Sequence, residues 1–211
     1  TNTYYKSGDS PSFVNLTLTG NETLNNTTYA SQTGIIYKGA SRFIHDFNYG
    51  NNGTVTTNGY NTFVGINAGN FTMGSTATSS GQSSYNTGIG YNVLRSNTTG
   101  YYNTALGTYS LSSNTTGYSN TALGYYSLYS NATGYYNTAI GLYSLSNNTT
   151  GSYNTALGIQ SLYSNTTGNP NTAIGSYSLY SNTTWNYNTA LGSYSLYSNT
   201  TGGYNTALGL Y

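Results

Sequence analysis

The sequence predicts an all-β fold, a parallel β-solenoid (β-roll), and three observations lead to this prediction. An asparagine that opens the motif NTALG or a close variant recurs every 17 residues, at Asn86, Asn103, Asn120, Asn137, Asn154, Asn171, Asn188 and Asn205. Two glycines punctuate each unit, which is too short for a pair of helices and suits two short strands and two turns. Apolar residues keep fixed places in every unit, so we expect about 7–8 stacked coils of 17 residues at the strand spacing of about 4.8 Å.

Charge is nearly absent from this chain. Among 211 residues there are four Lys or Arg and three Asp or Glu, and beyond Arg95 there is no charged residue and no histidine. Ordinary acid–base, metal or phosphate chemistry lacks its side chains there, so we predict no enzyme activity, no catalytic residue, no metal site and no cofactor. The chain has no basic patch for nucleic acid and no apolar run long enough to span a membrane.

Two domains are predicted. Residues 1–58 form a non-periodic, β-rich region suited to capping or assembly, and residues 59–211 form the solenoid. In the first region, residues 14–19 alternate as a half-buried strand does, which makes Val14, Leu16 and Leu18 a candidate assembly strand. Residues 34–38 and 42–44 predict a second strand pair or a bent strand. His45 beside Asp46 has no nucleophile or third ligand near it in sequence, so a structural histidine is the favoured interpretation.

The first coil, residues 59–85, is divergent, and the regular repeats occupy residues 86–211. Residues 61–65 copy the repeated motif, but the next copy begins 25 residues later. About eight extra residues should therefore bulge out as a Ser/Thr/Gly-rich loop within residues 73–84.

Two apolar columns are predicted to fill the interior of the coils. One column comes from the third residue after each repeated asparagine: Ile89, Leu106, Leu123, Ile140, Leu157, Ile174, Leu191 and Leu208. The other comes from the eighth residue: Leu94, Leu111, Leu128, Leu145, Leu162, Leu179 and Leu196.

The turn SNTTG contains an N-x-Thr sequon in every unit, at Asn97, Asn114, Asn131, Asn148, Asn165, Asn182 and Asn199. Further sequons include Asn15, Asn21, Asn26, Asn52 and Asn70. An uncharged, tyrosine-rich surface would gain solubility from covalent N-glycans on these sites. Asparagine is also a common turn residue whose side chains can bond along a column, and both interpretations stay open at this point.

The repeats NTALG…YSLYSNTTG…YNTAIG resemble those of tail-fibre-type proteins of phages and bacteria, and are similar to the head repeats of YadA-like trimeric autotransporter adhesins. The resemblance covers roughly residues 59–211. It implies a left-handed parallel β-roll, often trimeric, that serves in surface adhesion.

The sequence therefore predicts a structural subunit of an extracellular fibre or of a cell or virion surface appendage. Its partner would be itself, as a homo-oligomer, trimer or filament, joined through β-strand contacts. The last coil has no cap in this sequence, so either the natural chain continues beyond Tyr211 or another subunit completes the coil. The alternative is an adhesin or tail-fibre shaft that binds cell-surface glycans. Threonine and asparagine columns beside the repeated motif also suit a flat ice- or sugar-binding face, although a solvated solenoid face is favoured. Trp185 replaces a turn glycine and marks either a contact surface or a tolerated substitution.

Overall fold

One sheet of eleven strands organises the molecule. The computed structural model describes residues 36–38 and 41–211, which form an all-β solenoid. The strands follow chain order: β1 (Ile36–Lys38), β2 (Ser41–His45), β3 (Thr62–Val64), β4 (Thr87–Ile89), β5 (Thr104–Leu106), β6 (Thr121–Leu123), β7 (Thr138–Ile140), β8 (Thr155–Leu157), β9 (Thr172–Ile174), β10 (Thr189–Leu191) and β11 (Thr206–Leu208). No helix that could cross a membrane occurs among the described residues.

The predicted stacking of 17-residue coils is confirmed. From β3 to β11 each strand pairs in parallel with the next, and the register places equivalent residues side by side, as when Ala122 pairs with Ala105 and Ala139. Hydrogen bonds outside the strands repeat in the same register, for example from the Thr121 amide to the Asn137 carbonyl at 2.8 Å. Each coil therefore satisfies its backbone groups on its neighbours.

Each regular coil contains one three-residue strand. The prediction of a second strand in each unit is therefore wrong. The segment YSLYS alternates like a strand, but in the coil of Asn120 it turns instead, because Tyr126 and Leu128 adopt left-handed backbone angles (φ 56° and 49°). Tyr136, directly before the next strand motif, also adopts a left-handed backbone angle, with φ 52°. Non-glycine residues rarely adopt this conformation, which costs roughly 1–2 kcal/mol each, so the packing of the coils must compensate.

Leucine and alanine fill the interior. The Leu column from Leu94 to Leu179 is fully buried, Leu196 is partly buried, and the alanines at the centre of the strands, such as Ala122, are buried with it. The prediction of a second core column is wrong, because its side chains lie outside the core. They are Ile89, Leu106, Leu123, Ile140, Leu157, Ile174, Leu191 and Leu208. In a three-residue strand, the first and third side chains share one face, and here the buried alanine sets the inner face.

The N-terminal side of the solenoid is closed by aromatic side chains. Strand β2 pairs antiparallel with β1 and with β3, and so covers the first edge of the parallel sheet. Phe47 and Phe63 are fully buried at this end of the core. A Cβ at Gly88, where the other repeats have alanine, would lie 2.9 Å from the Phe63 ring, so the larger core residue explains the missing alanine. Residues 14–19 lie outside the described part, so the candidate strand of Val14, Leu16 and Leu18 stays a prediction.

The extra residues of the first coil do not simply bulge into solvent. Met73 and Ala77 are buried, and Asn52 donates its amide protons to the carbonyls of Gly74 and Ala77 at 3.0 and 2.9 Å. The insertion thus folds back on the segment that precedes the first coil.

Candidate functional site

The repeated sequon asparagines form a column inside the coils. In a representative rung, Nδ2 of Asn131 donates to Oδ1 of Asn114 in the preceding coil and to the carbonyl of Gly134, both at 2.9 Å. Its own Oδ1 accepts from Nδ2 of Asn148 at 2.8 Å. Fully buried members of this column are Asn97, Asn114, Asn131, Asn148, Asn165 and Asn182. We call it the sequon column, and it needs neither water nor a ligand for its hydrogen bonds.

This placement corrects the predicted glycosylation of the repeat turns. A glycan replaces one proton of Nδ2, but in the sequon column both protons donate inside the protein, as Asn114 does to Asn97 and Gly117. A sugar attached there would have to occupy the space of the next coil. Asn97 fits the same picture, with the Met73 sulfur as its neighbour in the first coil. The repeated sequon is therefore a by-product of a buried column flanked by turn threonines.

The other predicted glycosylation sites have different surroundings. Asn199 is half-buried and donates to the Gly202 carbonyl. Asn52 donates its amide protons to carbonyls of the folded-back insertion. Asn70 is half-buried, accepts from Thr72, and its Nδ2 has no partner among the described residues, so a glycan there stays a prediction. Asn15, Asn21 and Asn26 lie outside the described residues.

The asparagine that opens each strand motif forms a second interior column, which we call the anchor column. The Asn120 amide and its Nδ2 donate to Oδ1 of Asn103 at 3.0 and 3.1 Å, and Nδ2 also reaches the Gly134 carbonyl at 2.9 Å. Both columns thus converge on one glycine carbonyl per coil. A Cβ at Gly134 would lie 2.3 Å from Oδ1 of Asn131, which is why the turn requires glycine.

Trp185 stands where the other units have this glycine. Its carbonyl still accepts from Asn171 and Asn182, at 2.9 and 3.1 Å. The next rung differs, because Oδ1 of Asn182 accepts from Asn188 at 3.3 Å, whereas in earlier coils the corresponding oxygen accepts from the next sequon asparagine. The Trp185 ring lies beside Gly203, where a Cβ would be 3.5 Å from it. The substitution is thus accommodated together with a shifted rung.

The outer face of strands β4 to β11 is uncharged and partly apolar. In each strand from β4 to β10 the central residue is buried and the flanking threonine and leucine or isoleucine are not. Leu106, Ile140 and Ile174 leave 46%, 39% and 39% of their surface exposed. We call the column from Ile89 to Leu208 the outer column. A row of apolar side chains on strands with no charged residue is a surface that favours contact with another surface.

Tyrosines form further columns on the outside of the coils. The rings of Tyr118 and Tyr135 stack with centroids 4.8 Å apart and an angle of 2° between the planes. Ring packing removes water from the Tyr118 hydroxyl and raises its pKa, and repulsion from Tyr101 and Tyr135 raises it further. Burial likewise raises the pKa of Tyr126, Tyr143, Tyr153 and Tyr180. The columns are therefore neutral at neutral pH.

His45 is a structural residue, as predicted. It is buried, and its Nε2 lies 2.8 Å from the Ala68 carbonyl, so Nε2 carries the proton and donates. Nδ1 accepts from the Phe47 amide at 3.4 Å, and the Phe63 and Phe71 rings pack against the imidazole. Within the described ranges, no three His, Cys, Asp or Glu side chains come together as a metal site would require.

A polar cavity lies beside the first coil. It has a volume of about 380 Å³ and is lined by Asp46, Asn48, Asn58, Tyr60, Asn61 and Thr62. Tyr60 is 76% exposed and stacks on Tyr85 with centroids 5.3 Å apart. The sequence offered no repeated signal for this cavity, because two separate segments, within residues 46–48 and 58–62, line it.

No protein-family model, curated protein or solved structure matches the chain.

Proposed function

We propose that this chain is a structural, non-enzymatic subunit of an extracellular fibre or surface appendage, in which copies associate side by side through the outer sheet face. The observation that carries the proposal is the outer column, whose leucines and isoleucines point away from a core that is complete without them. Monomeric proteins rarely expose a contiguous apolar surface of this kind.

The geometry of the outer column favours a second copy of the chain as the partner. Its side chains repeat at the strand spacing of about 4.8 Å, and the seven steps from β4 to β11 extend it over about 34 Å. A partner with the same spacing can repeat one contact along this whole length, and another copy has that spacing by construction. With no charge on this face, two copies can approach without electrostatic repulsion.

The buried columns support the same role from the inside. Hydrogen bonds join neighbouring coils through the backbone and the anchor column, and through the sequon column as far as Asn182. Such an array resists local opening better than a loosely packed one, because opening one coil breaks bonds on both sides. Resistance to local opening suits a shaft that transmits mechanical force.

Charging the outer column tests the proposal. Leu106→Glu, Ile140→Glu and Ile174→Glu, introduced together, place three charges two coils apart on the outer column. We expect the natural chain to associate as its concentration rises in sedimentation velocity, and this variant to stay monomeric because association would bury unpaired carboxylates. Its circular dichroism spectrum should match that of the natural chain, since the three side chains lie outside the core.

The matched control is Thr116→Glu, Thr150→Glu and Thr184→Glu, which adds the same charge at exposed turn positions with the same spacing. This control should associate as the natural chain does. A natural chain that stays monomeric at every concentration, or equal loss of association in both variants, would contradict a specific contact through the outer column.

A further inference from the structure

The tyrosine columns leave few aromatic ring faces free, and Tyr60, which lines the polar cavity, has one of them. Tyr85 is covered on both sides, by Tyr60 and by Tyr102, with centroid distances of 5.3 and 4.8 Å. Tyr60 begins this column, so one of its faces packs on Tyr85 and the other meets no ring among the described residues. A ring within a column offers only its edge to a ligand, whereas Tyr60 also offers a face.

Polar side chains line the same cavity as Tyr60, and hydrogen bonds orient two of them. Oδ1 of Asn48 accepts from Thr57 Oγ1 at 2.5 Å and from the Gly50 amide at 3.0 Å, which orients the amide and leaves Nδ2 as a donor. Nδ2 of Asn58 donates to the Tyr85 hydroxyl at 3.1 Å, which leaves its Oδ1 as an acceptor. These side chains therefore hold donor and acceptor groups in place before any ligand arrives.

The wall and the rim of the cavity complete its chemistry. Asn61 has no bonding capacity to spare, because Nδ2 donates to Phe47 and Ser83 and Oδ1 accepts from Asn86, so it serves as a wall. Thr62 is exposed at the start of β3 and adds a hydroxyl to the rim.

We propose that this cavity is a carbohydrate-binding site in which a neutral pyranose ring packs against Tyr60 and hydrogen-bonds to Asn48, Asn58 and Thr62. A sugar ring has one apolar C–H face and a rim of hydroxyls, which matches an aromatic face surrounded by amides and a hydroxyl. The cavity volume of about 380 Å³ lies in the range of small-molecule sites, about 300–1,000 Å³. No Lys or Arg is among the described residues that line the cavity, so it offers no cation to pair with an acidic sugar. The proposal goes beyond the shaft role and does not depend on self-association.

Titration of the full-length chain with methyl pyranosides of glucose, galactose, mannose and N-acetylglucosamine, followed by saturation-transfer NMR, tests the site. We expect at least one of them to bind with a Kd on the order of 1 mM, as befits a single ring. Tyr60→Ala should weaken that binding about tenfold, and Tyr60→Phe should leave it within about threefold, because the ring face is retained. Thr62→Val, which keeps the strand propensity, should weaken binding without removing the ring.

The matched control is Tyr153→Ala. Tyr153 has the same place in its unit, a similar left-handed backbone angle (φ 59° against 57° for Tyr60) and 53% exposure, but it does not line the cavity. Binding should be unchanged in this variant. The proposal is overturned if no pyranoside binds the natural chain, if Tyr60→Ala binds as the natural chain does, or if Tyr153→Ala weakens binding equally. Unchanged melting temperatures would show that the variants are folded.

Discussion

Each regular coil keeps two asparagines inside and a leucine or isoleucine outside. Asn131 is fully buried, whereas Leu106 leaves 46% of its surface in solvent. Hydropathy alone would place the leucine inside and the asparagine outside. The difference lies in hydrogen bonding, because an asparagine in register with another in the next coil satisfies its donors and its acceptor, so burial leaves no polar group unpaired. An outward leucine gains its burial only when another surface covers it.

The strongest contrast between the two sides is expected for leucines of a single coil. Leu111→Ala removes a fully buried side chain and should lower the free energy of unfolding by about 2–5 kcal/mol. Leu106→Ala, five residues earlier, should cost only about 0.5 kcal/mol in the monomer, because its side chain already contacts solvent. Urea unfolding of both variants measures the difference, and similar losses would mean that the outer column is buried in solution.

The buried polar side is tested by Asn131→Ala. This change removes the partner of Asn114 Oδ1 and of Asn148 Nδ2 in a dry interior, and should cost about 3 kcal/mol. The control is Thr133→Ala, which also destroys the sequon but alters an exposed side chain, and should cost about 0.5 kcal/mol. Equal effects of the two substitutions in urea unfolding would instead favour a role for the sequon itself.

Much of the fold could be predicted because the period encodes the stacking register. The strand motif, the coil count and the Leu94–Leu179 column all follow from repetition. The inward direction of Ala122 could also have been found, since Thr121 and Leu123 share a face and a threonine column with no partner belongs in solvent. Hydropathy predicts that the Leu/Ile column lies inside, whereas strand alternation predicts that it lies outside.

The corners of the coils could not be predicted. Leu128 and Tyr126 have no preference for left-handed angles, so nothing local marks YSLYS as a turn, and its alternation favours a strand. Only the packing of neighbouring coils selects this conformation. The buried asparagines and the Tyr60 cavity were missed for a related reason, because their partners lie one coil away or in the segment before the first coil.

The smallest expected effect is a dependence of stability on pH. It distinguishes the buried asparagine columns, which do not titrate, from the outer tyrosine columns, which do. The pKa of Tyr118, Tyr126 and Tyr143 is raised above 10.0 in the folded chain, by burial first and then by repulsion between neighbours. The unfolded chain therefore loses its phenolic protons first as pH rises. The free energy of unfolding should be unaffected by these groups below about pH 10 and should fall as pH passes through 10 toward the raised pKa values. Urea midpoints from neutral to alkaline pH measure the decline.

The triple variant Tyr118→Phe, Tyr126→Phe and Tyr143→Phe should show a shallower decline, because phenylalanine keeps the ring stacking and has no proton to lose. An unchanged slope would show that the ring columns do not couple folding to ionisation.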